Sequence, residues 1–373
     1  SDTDALTITA SQLSANAGVL TKFGIGKPSL IVTEVAAANV ASLVGNAKVS
    51  ALRVEDSAYN IAANLDALQT NHLKIDTITQ TGPATPIAIS YAQVTSAADA
   101  LGKISGSYSL SVSGVAAANA SSLAANNKVV SMAVTGDNAT IATHLFALHG
   151  LGKKVTTITQ SNPGTALALT AEQWVGQAST LNKIVGGFSA TVSGVNAAKA
   201  QSVAADSRVK SLQVKDNAAN LSANIDALQA LGAPLIEIEQ SDAAALTLTA
   251  TQWGAVQGAL GKYKTGTAPT VVVSQVAAAN AQSIANDGRV TSVKVSDNAG
   301  TVSANLAAKL AAKPTSSSGA AAGARAAAPA SRAPVAAEPQ TFSGPRNPPR
   351  ASANPRACLV RKPSRVTREP RAR

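Results

Sequence analysis

Apolar and polar residues alternate in short stretches through the first 312 residues of the chain. The apolar residues lie two positions apart at Leu110 and Val112, Met132 and Val134, and Leu167 and Leu169, and Val155 and Ile158 form a further short apolar pair. A spacing of two places every second side chain on one side of an extended backbone. The pattern therefore predicts strands with one buried face, separated by turn residues.

Helical patterns lie between these stretches. Each of three patterns puts apolar residues on one helix face, first at Val94, Ala97, Leu101 and Ile104, second at Ala120 and Leu123, and third at Ile61, Leu65 and Leu68. Strands that alternate with helices predict parallel strands joined by right-handed crossovers.

The whole pattern repeats about every 80 residues. Residues 35–39 and 115–119 both read Val-Ala-Ala-Ala-Asn, and related strings return at residues 195–199 and 276–280. A second marker is an aspartate that precedes the third helical pattern of each copy, at Asp56, Asp137, Asp216 and Asp297. Two closures fit such a chain, a doubly wound globular sheet or an open solenoid. Near-identical units stack most simply by one repeated step, which favours the solenoid.

We therefore predict an α/β fold in which residues 1–312 form an elongated right-handed β/α solenoid with a parallel sheet. Each repeat of about 80 residues would contain three β/α turns, in copies at about residues 1–38 (partial), 39–118, 119–198, 199–279 and 280–312 (partial). Twelve turns at the spacing of sheet strands give a rod of about 55–60 Å. Residues 1–6 align with residues 241–246, so we expect the chain to be a section of a longer array or a processed product.

Residues 313–373 have a different composition. They hold 10 of the 16 prolines and 12 lysines and arginines, against Glu338 and Glu369. Such a segment cannot bury enough apolar surface to offset its ordering entropy, so we predict a disordered, basic tail. Most of the net charge of +11 belongs to this tail, because residues 1–312 carry 19 basic and 18 acidic side chains. The repeats are thus nearly neutral, and nucleic-acid binding is expected only through the tail.

The repeats show no pattern typical of an enzyme. Cys358 lies in the tail, so residues 1–312 offer no thiol for catalysis, disulfides or zinc. One recurring aspartate per copy cannot supply the oxygen ligands of a calcium site, and we interpret it as the N-cap of the third helix. Trp174 and Trp253 occupy positions that are aliphatic in other copies, which indicates packing. We predict no catalytic, cofactor-binding or metal-binding residues, and the chain has no apolar run long enough for a membrane span.

Outward strand positions before the third helix differ between copies. Repeat proteins bind partners through variable positions on a constant frame. The charged and amide side chains at these positions are the candidate partner-binding residues, Arg53, Glu55, Gln213, Lys215 and Lys294. The alternative is an ordinary solvated face.

Two strings carry a family resemblance. Residues 216–229 read Asp-Asn-Ala-Ala-Asn-Leu-Ser-Ala-Asn-Ile-Asp-Ala-Leu-Gln, and residues 246–252 read Leu-Thr-Leu-Thr-Ala-Thr-Gln. They resemble the Ala-rich "AANLDALQ" repeats of large secreted or cell-surface, adhesin-like proteins of proteobacteria. The resemblance covers residues 1–312 and implies a secreted or surface location in a bacterium, with no catalytic residues to carry over.

These observations predict a non-enzymatic structural or adhesive module of a larger secreted or surface protein, with a protein or surface ligand as partner. One alternative is a protein-binding, effector-like solenoid that uses the variable strand positions. Another is binding of nucleic acid or acidic surfaces through the tail.

Overall fold

A computed structural model describes residues 5–22 and 29–312 of the protein, with side chains up to residue 307. The predicted disordered tail, residues 313–373, lies outside the described residues. Within them, no helix is long and apolar enough to cross a membrane.

The strands form where the apolar alternation predicts them. In chain order they are β1 (Leu6–Thr9), β2 (Leu30–Val35), β3 (Val49–Ser57), β4 (Ile75–Thr81), β5 (Ile87–Ser90), β6 (Ile104–Ser105), β7 (Leu110–Ala116), β8 (Val129–Gly136), β9 (Val155–Gln160), β10 (Leu167–Thr170), β11 (Ala190–Val195), β12 (Val209–Asp216), β13 (Leu235–Gln240), β14 (Leu246–Thr249), β15 (Val271–Val276) and β16 (Val290–Val295).

These strands form four small sheets in which every pair is parallel. The strand orders are β1-β2-β3-β4-β6 in sheet 1, β5-β7-β8-β9 in sheet 2, β10-β11-β12-β13 in sheet 3 and β14-β15-β16 in sheet 4. The α/β class and the parallel pairing are confirmed. The prediction of a single parallel sheet is wrong, because the chain begins a new sheet at β5, β10 and β14, directly after β4, β9 and β13.

The helices connect successive strands. In chain order they are α1 (Ala10–Ala15), α2 (Ala17–Leu20), α3 (Val40–Leu43), α4 (Ala58–Ala63), α5 (Leu65–Thr70), α6 (Tyr91–Ser96), α7 (Ala98–Gly102), α8 (Ala120–Ala124), α9 (Asn138–Gly150), α10 (Ala171–Gly176), α11 (Ala178–Leu181), α12 (Ala200–Ala204), α13 (Ala218–Leu231), α14 (Ala250–Ala255), α15 (Gln257–Leu260), α16 (Ala281–Ala285) and α17 (Ala299–Ala312). Short 3₁₀ turns precede α3, α8, α12 and α16, and two more follow α5 and α9.

The first helix after each opening strand begins in the same way in all four sheets. The last residue of the strand, Thr9, Ser90, Thr170 or Thr249, accepts a hydrogen bond from the backbone N–H three residues later. The glutamine at that later position bonds back to the N–H of the capping residue. This reciprocal capping box satisfies two helix-terminal donors and fixes the direction in which the chain leaves the sheet.

The first helical pattern is shorter than predicted. It breaks at Ala97, which separates α6 from α7, and Ile104 is not helical. Instead, Ile104 lies in β6 and pairs with Ile78 of β4. Ile104 is buried as predicted. The apparent helical spacing from Val94 to Ile104 therefore combines the residues of a helix with the first residue of the strand that follows it.

Neighbouring sheets overlap at these short strands. The chain runs from β4 into β5, and one turn later it runs from β6 into β7. We call one strand-and-helix turn of the chain a level. Because β6 pairs with β4 and β7 pairs with β5, two consecutive levels hold sheets 1 and 2 together. The bridges Ile158 to Ile184 and Ile238 to Tyr263 occupy the matching places at the next two junctions.

Each second strand contains a bulge at an equivalent position. The register between β2 and β3 shifts between Val32 and Val35, and Glu34 in that gap has φ 53°. The matching residues are Gly114, Gly194 and Gln275, all with positive φ. Glycine adopts this left-handed conformation at little cost, whereas Glu34 and Gln275 are strained there.

The core is an almost entirely aliphatic layer between sheets and helices. The inward residues of the strands, such as Leu52, Val112, Met132 and Ile158, are buried. Trp253 is buried and Trp174 is half-buried, in agreement with the packing role predicted from the sequence.

Candidate functional site

The predicted partner-binding residues lie on three different sheets. Arg53 and Glu55 are on β3, Gln213 and Lys215 are on β12, and Lys294 is on β16. Arg53, Glu55, Gln213 and Lys215 alternate with buried residues, so they lie on the sheet face turned away from the core. Lys294 is exposed between the half-buried Val293 and the exposed Val295. The structure does not bring all five together on one sheet.

Two of these residues form ion pairs with the next strand. The Arg53 guanidinium contacts the Asp76 carboxylate at 2.9 Å. The Lys215 ammonium contacts Glu239 at 2.6 Å, with Lys264 at 3.8 Å on the same carboxylate. The hydrogen bond from Lys215 lowers the pKa of Glu239, and the positive charges of Lys215 and Lys264 add to that effect. Exposed pairs of this kind contribute little to stability, about 0–1 kcal/mol each.

Sheet 2 is uncharged at the equivalent positions. Ala133 and Thr135 of β8 stand in register with Thr157 and Thr159 of β9. The outward face therefore has charged pairs on sheets 1 and 3, and small uncharged residues, alanine and threonine, at the equivalent positions of sheet 2.

The recurring aspartates do not all cap the third helix. Asp137 does, since its carboxylate accepts the Thr140 N–H at 2.7 Å. In the other copies the cap is the next residue, for example Ser57 and Asn217. The N-cap interpretation is therefore wrong for Asp56, Asp216 and Asp297, the last because Asn298 accepts the Thr301 N–H at 2.8 Å at the start of α17.

Asp56 and Asp216 instead connect successive levels of the chain. Asp216 accepts hydrogen bonds from the Ala197 N–H at 3.0 Å, the Asn217 N–H at 2.9 Å and the Asn220 amide at 2.7 Å. Burial alone would raise its pKa, but the hydrogen bonds from Asn220, Ala197 and Asn217 outweigh burial and lower it. Asp56 has the same three kinds of donor 160 residues earlier, led by the Ala37 N–H at 2.9 Å.

A histidine–hydroxyl contact has a similar structural explanation. Nδ1 of His149 lies 3.1 Å from Oγ1 of the buried Thr180. The equivalent residues Gln69 and Gln229 accept the N–H groups of Ala100 and Ala259 at 2.9 and 2.7 Å. In all three copies this position connects α5, α9 or α13 to the second helix after the next opening strand, α7, α11 or α15.

One recurring contact was missed by the sequence-based reasoning. The Arg208 guanidinium lies over the rings of Trp174 and Phe188, at 5.1 and 5.2 Å from their centroids. Arg208 is also held by Asp206, with N···O 2.7 Å. Arg289 repeats the arrangement with Trp253 and Asp287. A basic residue two positions after Asn or Asp in every copy was the available sequence signal.

The recurrent polar side chains thus bond mainly to neighbouring levels of the same chain. Among the residues that the structure describes, no group of three or more His, Cys, Asp or Glu side chains is placed to hold a metal ion. Comparison of the chain with family models, curated proteins and solved structures found no match. The resemblance to the "AANLDALQ" repeats therefore stays a prediction.

Proposed function

We propose that residues 1–312 are a non-enzymatic structural or adhesive module, built as a right-handed β/α solenoid within a larger secreted or cell-surface protein. The observation that carries this proposal is the order of the strands. Inside every sheet, neighbouring strands are one turn of the chain apart. The overlap of β4 with β6 and of β5 with β7 continues that order from one sheet to the next.

A regular step between levels favours a rod. Twelve successive levels can be counted along β1, β2, β3, β4, β7, β8, β9, β11, β12, β13, β15 and β16. At about 4.8 Å per level, the rod would be about 55–60 Å long. A stiff spacer of this kind separates whatever lies at its two ends, and it needs no reactive site to do so.

The rod can be tested by distances between equivalent positions. Tyr59, Ala139 and Ala219 are exposed, occupy matching places in α4, α9 and α13, and can each be changed to cysteine in a Cys358→Ser background. Spin labels at 59 and 139 should be about 14 Å apart, and labels at 59 and 219 about twice as far, because each unit adds three levels. A distance from 59 to 219 no longer than that from 59 to 139 would refute the rod.

The surface location needs a separate test. Antibodies against the repeats should label intact bacteria that produce the protein. Labelling that requires lysis of the cells would contradict a secreted or surface role while leaving the rod untouched.

The charged pairs on the outward face favour protein binding as a second candidate function. Replacing Arg53, Glu55, Gln213, Lys215 and Lys294 by serine should weaken partner capture by at least tenfold. The matched control replaces Thr135, Thr157 and Thr159 on the uncharged sheet 2 by serine and should leave capture unchanged. An equal loss in both variants would exclude this surface.

A further inference from the structure

The end of the described repeats at β16 differs from every other third strand. In sheets 1, 2 and 3, a fourth strand pairs with the third strand on its outer side, namely β4, β9 or β13. Among the described residues, β16 pairs with β15 alone. Its other edge presents backbone N–H and C=O groups that form a template for an added strand.

Apolar side chains beside that edge are uncovered. Val295, Val302 and Leu306 are 42%, 38% and 65% exposed. Their equivalents one unit earlier, Val214, Leu221 and Ile225, are 1%, 0% and 0% exposed. We call this surface, formed by α16, β16 and α17, the end face. It contains an open groove of about 330 Å³.

The preceding repeat, which contains sheet 3, shows which residues cover the same surface inside the molecule. There β13 pairs with β12, with Leu235 opposite Leu212 and Ile238 opposite Val214. Next, β14 packs against α13, and the Ser222 hydroxyl accepts the Thr247 N–H at 2.9 Å. Residues 235–249 thus supply two extended stretches, the first paired with the sheet and the second packed on the helix.

The end face has side chains equivalent to those of β12 and α13 that contact residues 235–249. Val293 and Val295 stand where Leu212 and Val214 stand in β12, and Ser303 stands where Ser222 stands in α13. Lys294 takes the place of Gln213, whose partner in register is Glu237. An acidic residue at that place in an added strand would therefore lie opposite a lysine.

The sequence of the chain itself does not offer an equivalent strand at the matching distance. Leu235 and Ile238 correspond to Ser316 and Gly319, one unit of 81 residues later. These residues lack the two apolar side chains by which a fourth strand covers this surface.

We propose that the end face is a docking site for an extended segment of a separate polypeptide. Its first stretch adds parallel to β16, with Leu or Ile at its first and fourth residues and an acidic residue at its third, and its second stretch packs on α17. Main-chain hydrogen bonds along β16 provide affinity, while the apolar groove and Lys294 select the sequence. The proposal goes beyond a structural role and does not depend on the rod.

The probe is a fluorescent peptide with the sequence of residues 233–249, measured by anisotropy against the full chain. We expect saturable binding and slower hydrogen exchange of the β16 amides. A control peptide with Leu235→Ser and Ile238→Ser has the same charge and should bind at least tenfold more weakly. Equal binding of the two peptides, or no binding of either, would overturn the proposal.

Variants of the chain locate the site. Val302→Ser with Leu306→Ser should weaken binding at least tenfold, and Lys294→Glu should weaken it several-fold at low salt. The matched control is Val175→Ser, since Val175 is 72% exposed on α10, far along the chain. Unchanged binding to Lys294→Glu and to the double variant would place the peptide elsewhere.

A second copy of the chain is the competing occupant. Sedimentation of the unliganded chain at micromolar concentration should give a monomer. A dimer that is lost in Leu306→Ser would show that a second copy covers the end face, and it would overturn docking of a separate segment.

Discussion

Asp216→Ala removes one of the buried connections between levels of the chain. The carboxylate is 8% exposed and receives three hydrogen bonds, of which the one from the buried Ala197 N–H spans 19 residues. Alanine leaves this N–H without its acceptor at a place that water reaches poorly. The donors on Asn217 and Asn220 are closer to solvent and can bond to water instead.

The expected loss follows from these three donors. A hydrogen bond to a charged acceptor contributes about 1.5–3 kcal/mol, and an unsatisfied buried donor costs about 1–3 kcal/mol. Counting the Ala197 bond in full and the two others in part gives a destabilisation of about 3 kcal/mol. These hydrogen-bond values are net free energies, so they already include the desolvation cost of burying the carboxylate.

Urea unfolding followed by the fluorescence of Trp174 and Trp253 measures this loss. Because repeat proteins also open locally, hydrogen exchange of the amides around Ala197 should be measured alongside. The matched control is Asp226→Ala, which removes an exposed carboxylate that accepts a hydrogen bond from the Gln252 amide at 2.9 Å. It should cost less than about 1 kcal/mol.

A small effect of Asp216→Ala would contradict this role of the carboxylate. A loss below about 1 kcal/mol in Asp216→Ala, with unchanged exchange near Ala197, would mean that the carboxylate does not stabilise the contact between levels.

Three further predictions concern other positions of the same framework. Gly136 occupies in sheet 2 the place that Asp216 has in sheet 3. A Cβ at this position would meet Ile141 Cγ1 at 3.3 Å, so the Ile141 side chain must shift slightly. With that shift, the carboxylate added by Gly136→Asp should raise the free energy of unfolding in urea by about 1 kcal/mol. The hydrogen bonds from Arg208 lower the pKa of Asp206 to about 2, so its stabilisation is complete above the ordinary value of 3.8 and disappears as the pH falls toward 2. Thermal unfolding should therefore show Asp206→Asn less stable than the native chain at pH 6 and nearly equal to it at pH 2. Glu34→Gly should raise stability by up to about 1 kcal/mol in urea unfolding, because it relieves a positive φ in the β2 bulge.

The sequence predicted the buried face of the strands well, because strand burial depends on a local spacing of two. Leu110, Val112, Met132 and Val134 are all buried, as their alternation requires. The boundary of a helix is harder to place, since apolar residues on a helix and on the next strand can share one spacing. Ile104 shows this, because its burial was predicted correctly and its helix was not.

The aspartates show a second limit. Matching the letter Asp between copies aligned Asp137 with Asp56 and Asp216, although the backbone places Gly136 there. The difference became visible only in the hydrogen bonds, which join Asp216 to a residue of an earlier level. The periodicity of the sequence does not predict to which level of the chain such a side chain forms a hydrogen bond.

For the candidate site, too, the sequence predicted the local orientation of residues but not their arrangement between levels. Alternation placed Arg53, Glu55, Gln213, Lys215 and Lys294 on the outward face, yet it could not show their distribution over three sheets. The stack of Arg208 on Trp174 joins residues of different levels and depends on how one level packs on the next.

The overlap of neighbouring sheets also determines how the chain can reach its folded state. The side-chain hydrogen bonds between levels join residues that are 19 to 32 positions apart, such as Ala197 with Asp216 and Gln257 with Arg289. A chain of this length with such short separations has a low relative contact order, and low contact order is associated with fast folding. Each new level needs only the level before it as a template. A polypeptide released gradually from a ribosome or a membrane channel can therefore fold from its leading end while the rest is still unfolded.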